Sequence, residues 1–159
     1  MEKRIVIMRH AEAEDCFFEI NDFQRRLTDK GVLAACKVAY QFRLHFIPDC
    51  ILTSNAHRTL ETTELILKEF TGCSIHVVSD SSLYLAPSML LHQKVMSLEE
   101  HINKVILVGH NPGVSDWIFT LTGEHISLSP SMAVMVRLPI SSWKLLTSQI
   151  GTIEKIISP

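Results

Sequence analysis

Short blocks of apolar residues alternate along this chain with longer stretches in which apolar residues recur every three or four positions. Ile5-Val6-Ile7-Met8 has no polar member and lies between basic residues, which predicts a strand buried on both faces. Thr28 stands before a run in which Val32, Ala35, Cys36, Ala39, Phe42 and Phe46 repeat at helical spacing. A threonine oxygen satisfies the free N–H groups of a first turn, so Thr28 is the predicted N-cap. Pro48-Asp49 interrupts the chain, and Cys50-Ile51-Leu52-Thr53 is the next buried strand. Ser54 or Asn55 is expected to cap a second helix, with Ile66, Leu67 and Phe70 facing inward and Gly72 ending it. Ser74 to Val78 reads as a short strand. Pro87 suits the first turn of a third helix carrying Leu90, Leu91, Val95 and Leu98. Val105-Ile106-Leu107-Val108 is a fourth buried strand, and Pro112 to Leu121 a fourth helix stopped near Gly123. Ala133 to Leu138 and Trp143 to Ile150 read as a final pair of strands around Pro139-Ile140-Ser141-Ser142, in the manner of a hairpin.

This alternation predicts an α/β fold: a single-domain three-layer α/β/α sandwich over residues 1–159, with a mostly parallel central sheet and helices on both faces. Ligands of such sheets bind beyond the carboxyl ends of the strands. Arg9-His10 follows the first strand, Ser54 to Arg58 the second, and His110 the fourth. Three separate polar clusters are thereby delivered to one edge of one sheet.

Composition narrows the classes of function. A length of 159 residues suits one domain, and 47% apolar with 20% charged residues is ordinary globular usage. The net charge of −2 argues against a nucleic-acid partner, so an anion site must be made from a few converging basic groups. No apolar run is long enough to cross a membrane, and Arg9 and His10 end the N-terminal apolar stretch too soon for a signal peptide. A cytoplasmic monomer is expected. The cysteines Cys16, Cys36, Cys50 and Cys73 form no C-x-x-C pair; Cys36 and Cys50 read as small core residues. There is no H-x-H, H-E-x-x-H or Cys/His cluster, so neither metal nor other cofactor is expected.

Two histidines and two arginines at one sheet edge fit phosphoryl transfer. A neutral imidazole is a good nucleophile near pH 7, and it can take a phosphoryl group and later release it to water. The negative charge of that transfer spreads over the equatorial oxygens, where fixed guanidiniums stabilise it. Arg58, in the first turn of a helix, opposes the helix dipole unless an anion binds there.

The same residues carry a family resemblance. Met8-Arg9-His10-Ala11-Glu12 resembles the R-H-G/A signature of the histidine phosphatase (phosphoglycerate mutase-like) superfamily. Thr53-Ser54-Asn55-Ala56-His57-Arg58 is similar to its second motif, and Val108-Gly109-His110-Asn111-Pro112-Gly113 to its third. Within the superfamily, Arg25-Arg26-Leu27-Thr28-Asp29-Lys30-Gly31 resembles the R-P-L-T-x-x-G segment of the small SixA-type phosphohistidine phosphatase branch. The resemblance implies His10 as catalytic nucleophile, with Arg9, Arg58 and His110 binding phosphate and Arg25 as a further phosphate contact. It implies a phosphorylated protein as substrate, such as a phosphohistidine-carrying domain, with a small phosphorylated metabolite or mere phosphate binding as the alternatives. Ala11 replaces the usual Gly, and Arg26 replaces a Pro, which is expected to loosen the loop that places Arg25. Where many members carry an acid after the third strand, this chain reads Asp80-Ser81-Ser82-Leu83-Tyr84, with Ser82 at the expected position. Asp80, Asp22, Glu12 and Glu14 are the candidate carboxylates, and a site with no acid is the other option. An imidazole leaving group demands less from a proton donor than an alkoxide does, so a missing acid favours phosphohistidine. Finally, Tyr84 to Lys104 holds about one helix, too little to roof the site.

Overall fold

The computed structural model describes residues 2–16 and 21–159. The elements run β1 (Lys3–Arg9), α1 (Asp29–His45), β2 (Cys50–Thr53), α2 (His57–Lys68), β3 (His76–Ser79), α3 (Ser88–Met96), β4 (Lys104–Gly109), α4 (Gly113–Thr122), β5 (Ala133–Leu138) and β6 (Thr152–Ile157), with 3-10 turns at Asp22–Gln24, Ser81–Leu83 and Trp143–Leu145. The strands form one sheet in the order β3-β2-β4-β1-β5-β6. β3, β2, β4 and β1 pair in parallel, whereas β5 runs antiparallel to both β1 and β6.

Side-chain alternation in the central strands divides the core in two. Ile5, Ile7, Leu52, Val105 and Leu107 face α3 and α4, where they pack with Leu91, Val95, Trp117, Leu121 and Trp143. Val6, Met8, Ile51, Ile106 and Val108 face α1 and α2 and pack with Val38, Phe42, Ile66 and Phe70. A strand covered on both faces must be apolar at every position. The sandwich expected from the apolar pattern is the observed architecture.

Three details differ from the sequence reading. α1 is capped by the Thr28 hydroxyl as expected, but its inward face carries Val38 in place of Val32, which is exposed, and Cys36 is only half-buried. α2 is capped by neither Ser54 nor Asn55: Ala56 holds the N-cap position and offers no side-chain oxygen. The last strand is not Trp143 to Ile150. Trp143 is fully buried and its indole N–H donates to the Ile102 carbonyl at 2.8 Å, so residues 143–145 wind into a turn capped by Ser142. The antiparallel partner of β5 comes later, from the β-branched stretch at 152–157. Trp117 and Trp143 are both fully buried core residues.

Two glycines permit close approach of backbone. A Cβ at Gly31 would lie 2.2 Å from the Glu12 carbonyl oxygen, and one at Gly113 would lie 2.0 Å from that of Ala86. The first turns of α1 and α4 can therefore press against the loops at the carboxyl edge of the sheet.

Candidate active site

β1 and β4 end in register, with Arg9 beside Gly109. The ladder continues one step further, because the His10 N–H donates to the Gly109 carbonyl at 3.0 Å. His10 and His110, each the next residue of its own strand, are thereby brought together with ring centroids 5.3 Å apart. From the neighbouring strand β2 the chain enters α2, whose second residue is Arg58. This side chain is 2% exposed and links both rings. Its Nε donates to His10 Nε2 at 3.2 Å and its Nη2 to His110 Nδ1 at 3.2 Å.

These contacts define both tautomers. A guanidinium only donates, so His10 Nε2 and His110 Nδ1 present lone pairs to it. The His10 Nδ1–H then donates to the Ala11 carbonyl at 2.7 Å, and the His110 Nε2–H to Ser54 Oγ at 2.6 Å. The Ser54 hydroxyl lies 2.8 Å from Thr59 Oγ1, which donates in turn to backbone carbonyls. His110 is thus anchored by a buried hydroxyl chain at the start of α2. Ala11 is fixed as well, its N–H donating to Thr62 Oγ1 at 3.0 Å. Its φ is not positive, so an alanine serves there without strain.

Arg9, the residue before His10, donates from its Nη1 to the Leu128 carbonyl at 3.1 Å. Its Nε is buried and has no partner among the described residues. An unpaired buried donor is costly, and an oxyanion bound among these cations would satisfy it. Arg25 also reaches the cluster. Its Nε donates to the Glu14 carbonyl at 2.5 Å, and its charge acts on both Arg9 and His10. The loop around it is not loosened by Arg26: Glu61 of α2 pairs with Arg26 at 3.0 Å and accepts the Leu27 N–H at 2.8 Å.

The four candidate carboxylates separate clearly. Glu12 accepts from the Thr28 hydroxyl at 2.9 Å and pairs with Lys30 at 3.5 Å, a task at the start of α1. Glu14 approaches the cluster only through its backbone carbonyl. Asp80 accepts the Ser82 N–H at 2.8 Å and pairs with Lys94. Asp22 alone among the four joins the cationic cluster. Its Oδ1 lies 3.0 Å from Arg25 Nη1, its Oδ2 lies 3.0 Å from Arg58 Nη2, and it accepts the Tyr84 hydroxyl. Its backbone carbonyl also takes Arg58 Nη1 at 2.6 Å. The Tyr84 ring stands edge-on to His110 at 5.4 Å and to Phe23 at 5.3 Å, while Phe23 lies 6.0 Å from His57.

Electrostatics set the protonation states. Burial, reinforced by Arg58, Arg9 and Arg25, pushes His10 down to about 4 against the opposing Ala11 bond. Burial and Arg58 push His110 down to about 3. Both imidazoles are therefore neutral at pH 7. Burial raises Asp22, but hydrogen bonds from Tyr84, Arg25 and Arg58 outweigh it and hold the carboxyl at about 2. Lys94 and Ser82 likewise hold Asp80 at about 2. Neither aspartate carries a proton near neutrality.

The structure thus brings His10, Arg58 and His110 into direct contact, with the charges of Arg9 and Arg25 acting on His10. Sequence reading missed Ser54 and Tyr84. Ser54 sits in the second motif, four residues before Arg58, where the sequence places it in the polar cluster and offers it as a helix cap but does not name it as a partner of His110. Tyr84 carried no signal, because nothing in the chain announces that residues 22 and 84 meet.

No protein-family model matches the chain. It is 27% identical over 154 residues to an uncharacterized chloroplastic protein of Arabidopsis thaliana, a match covering 89% of this chain and 69% of that protein. A solved structure from Agrobacterium tumefaciens, assigned as the phosphohistidine phosphatase SixA, superposes with a TM-score of 0.85 at 24% identity over 100% of this chain and 99% of that one. The protein histidine phosphatase SixA in complex with tungstate superposes with a TM-score of 0.82 at 22% identity, covering 98% and 96% of the two chains. From one end to the other, the chain has the phosphoglycerate mutase-like α/β fold of the SixA proteins.

Proposed function

We propose that this protein is a metal-independent phosphohistidine phosphatase that acts on phosphorylated proteins and passes the phosphoryl group through His10. The observation that carries this reading is a neutral imidazole whose outer nitrogen, Nε2, presents its lone pair to a buried guanidinium. The opposite nitrogen keeps its proton on the Ala11 carbonyl, so Nε2 is the nucleophilic atom. When a phosphoryl group enters, Arg58 and the unsatisfied Nε of Arg9 take its oxygens, and Nε2 attacks phosphorus. The dianion raises the proton affinity of His110, whose Nδ1 then donates to an oxygen while Ser54 holds Nε2. In the second step water attacks the phosphoryl group on His10. The P–N bond breaks with its electron pair on Nε2, and the water's proton goes to the departing phosphate. Because Nδ1 keeps its proton on the Ala11 carbonyl, the ring leaves as neutral imidazole rather than as imidazolate.

Two features favour phosphohistidine over an alkyl phosphate. An alkoxide must receive a proton as it leaves, and general-acid help is worth about 10²- to 10⁴-fold. The carboxylate at the site is held ionised, so it has no proton to give. In addition, α3 is the one helix between Tyr84 and Lys104, and it packs on α4 rather than over the site. A phosphate carried on a protein surface can reach such a site directly.

The test is a panel comparing a phosphohistidine protein with small phosphoesters, with and without a chelator, followed by acid-quench trapping. The expected result is chelator-resistant turnover, fastest on phosphohistidine, with an acid-labile phosphoryl group on His10 that is absent in His10→Ala. Turnover without such an intermediate would rule out the covalent route.

A further inference from the structure

Asp22 presents a chemical puzzle. It is a carboxylate at the mouth of a phosphate site, 38% exposed on its side chain and 3.0 Å from the arginine that links the two imidazoles. Its charge opposes the binding of a phosphate dianion, and it has no proton for an alkoxide. Phosphohistidine removes the contradiction. The nitrogen bonded to phosphorus carries no lone pair in position to accept a proton. The ring is activated instead by protonation at its other nitrogen, which lies on the side remote from phosphorus. An ionised carboxylate there accepts a hydrogen bond from that N–H and favours the imidazolium form, just as carboxylates orient imidazoles elsewhere.

Resting on the phosphohistidine reading above, we propose that the Asp22 carboxylate is a catalytic and specificity-determining residue that binds the remote N–H of the substrate's phosphorylated imidazole. Asp22 is held at the mouth by Arg25 and Tyr84 as well as by Arg58. An arriving phosphoryl group can therefore take Arg58 Nη2 while the carboxylate stays anchored by the other two. The rings of Phe23 and Tyr84, 5.3 Å apart and edge-to-face, stand beside it as apolar surface for an incoming imidazole. In the transfer step the P–N bond of the substrate breaks and its electron pair stays on that nitrogen. A new P–N bond forms to His10 Nε2. The departing ring leaves as neutral imidazole, its remote N–H still donating to the Asp22 carboxylate. The two imidazoles are then treated alike: the Ala11 carbonyl holds the remote N–H of the enzyme's ring, and Asp22 holds that of the substrate's.

The test compares wild type, Asp22→Asn and Asp22→Glu on a phosphohistidine peptide and on p-nitrophenyl phosphate, whose nitrophenolate leaves without a proton and has no imidazole. In Asp22→Asn the ratio of the two kcat/KM values is expected to fall about 10- to 100-fold against phosphohistidine. The alkaline limb of kcat for the peptide should move down by about one pH unit or more, while that for the ester stays in place. Asp22→Glu, which keeps the charge, should recover part of the ratio. Equal losses on both substrates with unmoved limbs would overturn the proposal and reduce Asp22 to a support for Arg58. A wild-type protein that cleaves the ester but not the peptide would instead sink the phosphohistidine reading, and this inference with it.

Discussion

Two short 3-10 turns border the carboxyl edge of the sheet, Asp22–Gln24 and Ser81–Leu83, and each brings an aspartate held at about 2. Their surroundings differ. Asp80 is the cap of its own turn and pairs with Lys94, a residue of α3 that makes no hydrogen bond or ion pair with the histidine–arginine cluster. Asp22 is the first residue of its turn, which Asn21 caps, leaving its carboxylate free to meet two arginines and a tyrosine. A depressed pKa therefore does not mark a functional group. What marks it is whether the stabilising cations are themselves part of an anion site.

The comparison assumes that the His10–Arg58–His110 cluster is the reacting centre, and the largest effects test that. His10→Ala is expected to lower kcat by roughly 10⁴-fold or more in single-turnover assays, with loss of the trapped phosphoryl group. Arg58→Lys keeps the charge but cannot reach His10, His110 and Asp22 at once, so kcat/KM should fall about 10²-fold. Ser54→Ala removes the acceptor of the His110 Nε2–H, and a loss of about 10-fold in kcat, with little change for His10 trapping, is expected.

A smaller effect concerns stability. The imidazoles of His10 and His110 lie near 4 and 3 in the folded protein and near 6.5 in the unfolded chain. Below pH 6.5 the unfolded state binds more protons, so stability is full above that pH and is lost as pH falls toward 4. Thermal melts at pH 7 and pH 5 should show this fall, and a His10→Gln/His110→Gln protein should show a shallower one. The aspartate contributions, held near 2, disappear only as pH drops from about 4 toward 2. The smallest effect sharpens the comparison directly. Asp80→Asn keeps a capping oxygen and loses a partly exposed ion pair, so it should cost under about 1 kcal/mol in denaturant melts and change kcat/KM by less than about 3-fold.

Much of this organisation was legible along the chain. Continuous apolar blocks identified β1, β2 and β4, because strands covered on both faces leave no position for a polar residue. Arg9, Arg58 and His110 stood out because each follows one of those blocks. The stretch from Trp143 to Ile150 misled, since its alternation satisfies a strand and a buried turn equally well, and only the Ile102 carbonyl awaiting the indole decides between them. The absence of a cap oxygen at Ala56 was equally hidden. Ser54 is committed to His110, a partner 56 residues away.

The order of elements, the parallel core and the delivery of three basic clusters to one edge follow from the sequence by itself, because hydrophobic period and strand ends are local properties. The tautomers of His10 and His110, the ionised state of Asp22 and its meeting with Tyr84 were decided only by tertiary structure. Proton affinity depends on burial and on charges within a few ångströms, and those neighbours come from loops far apart in the chain.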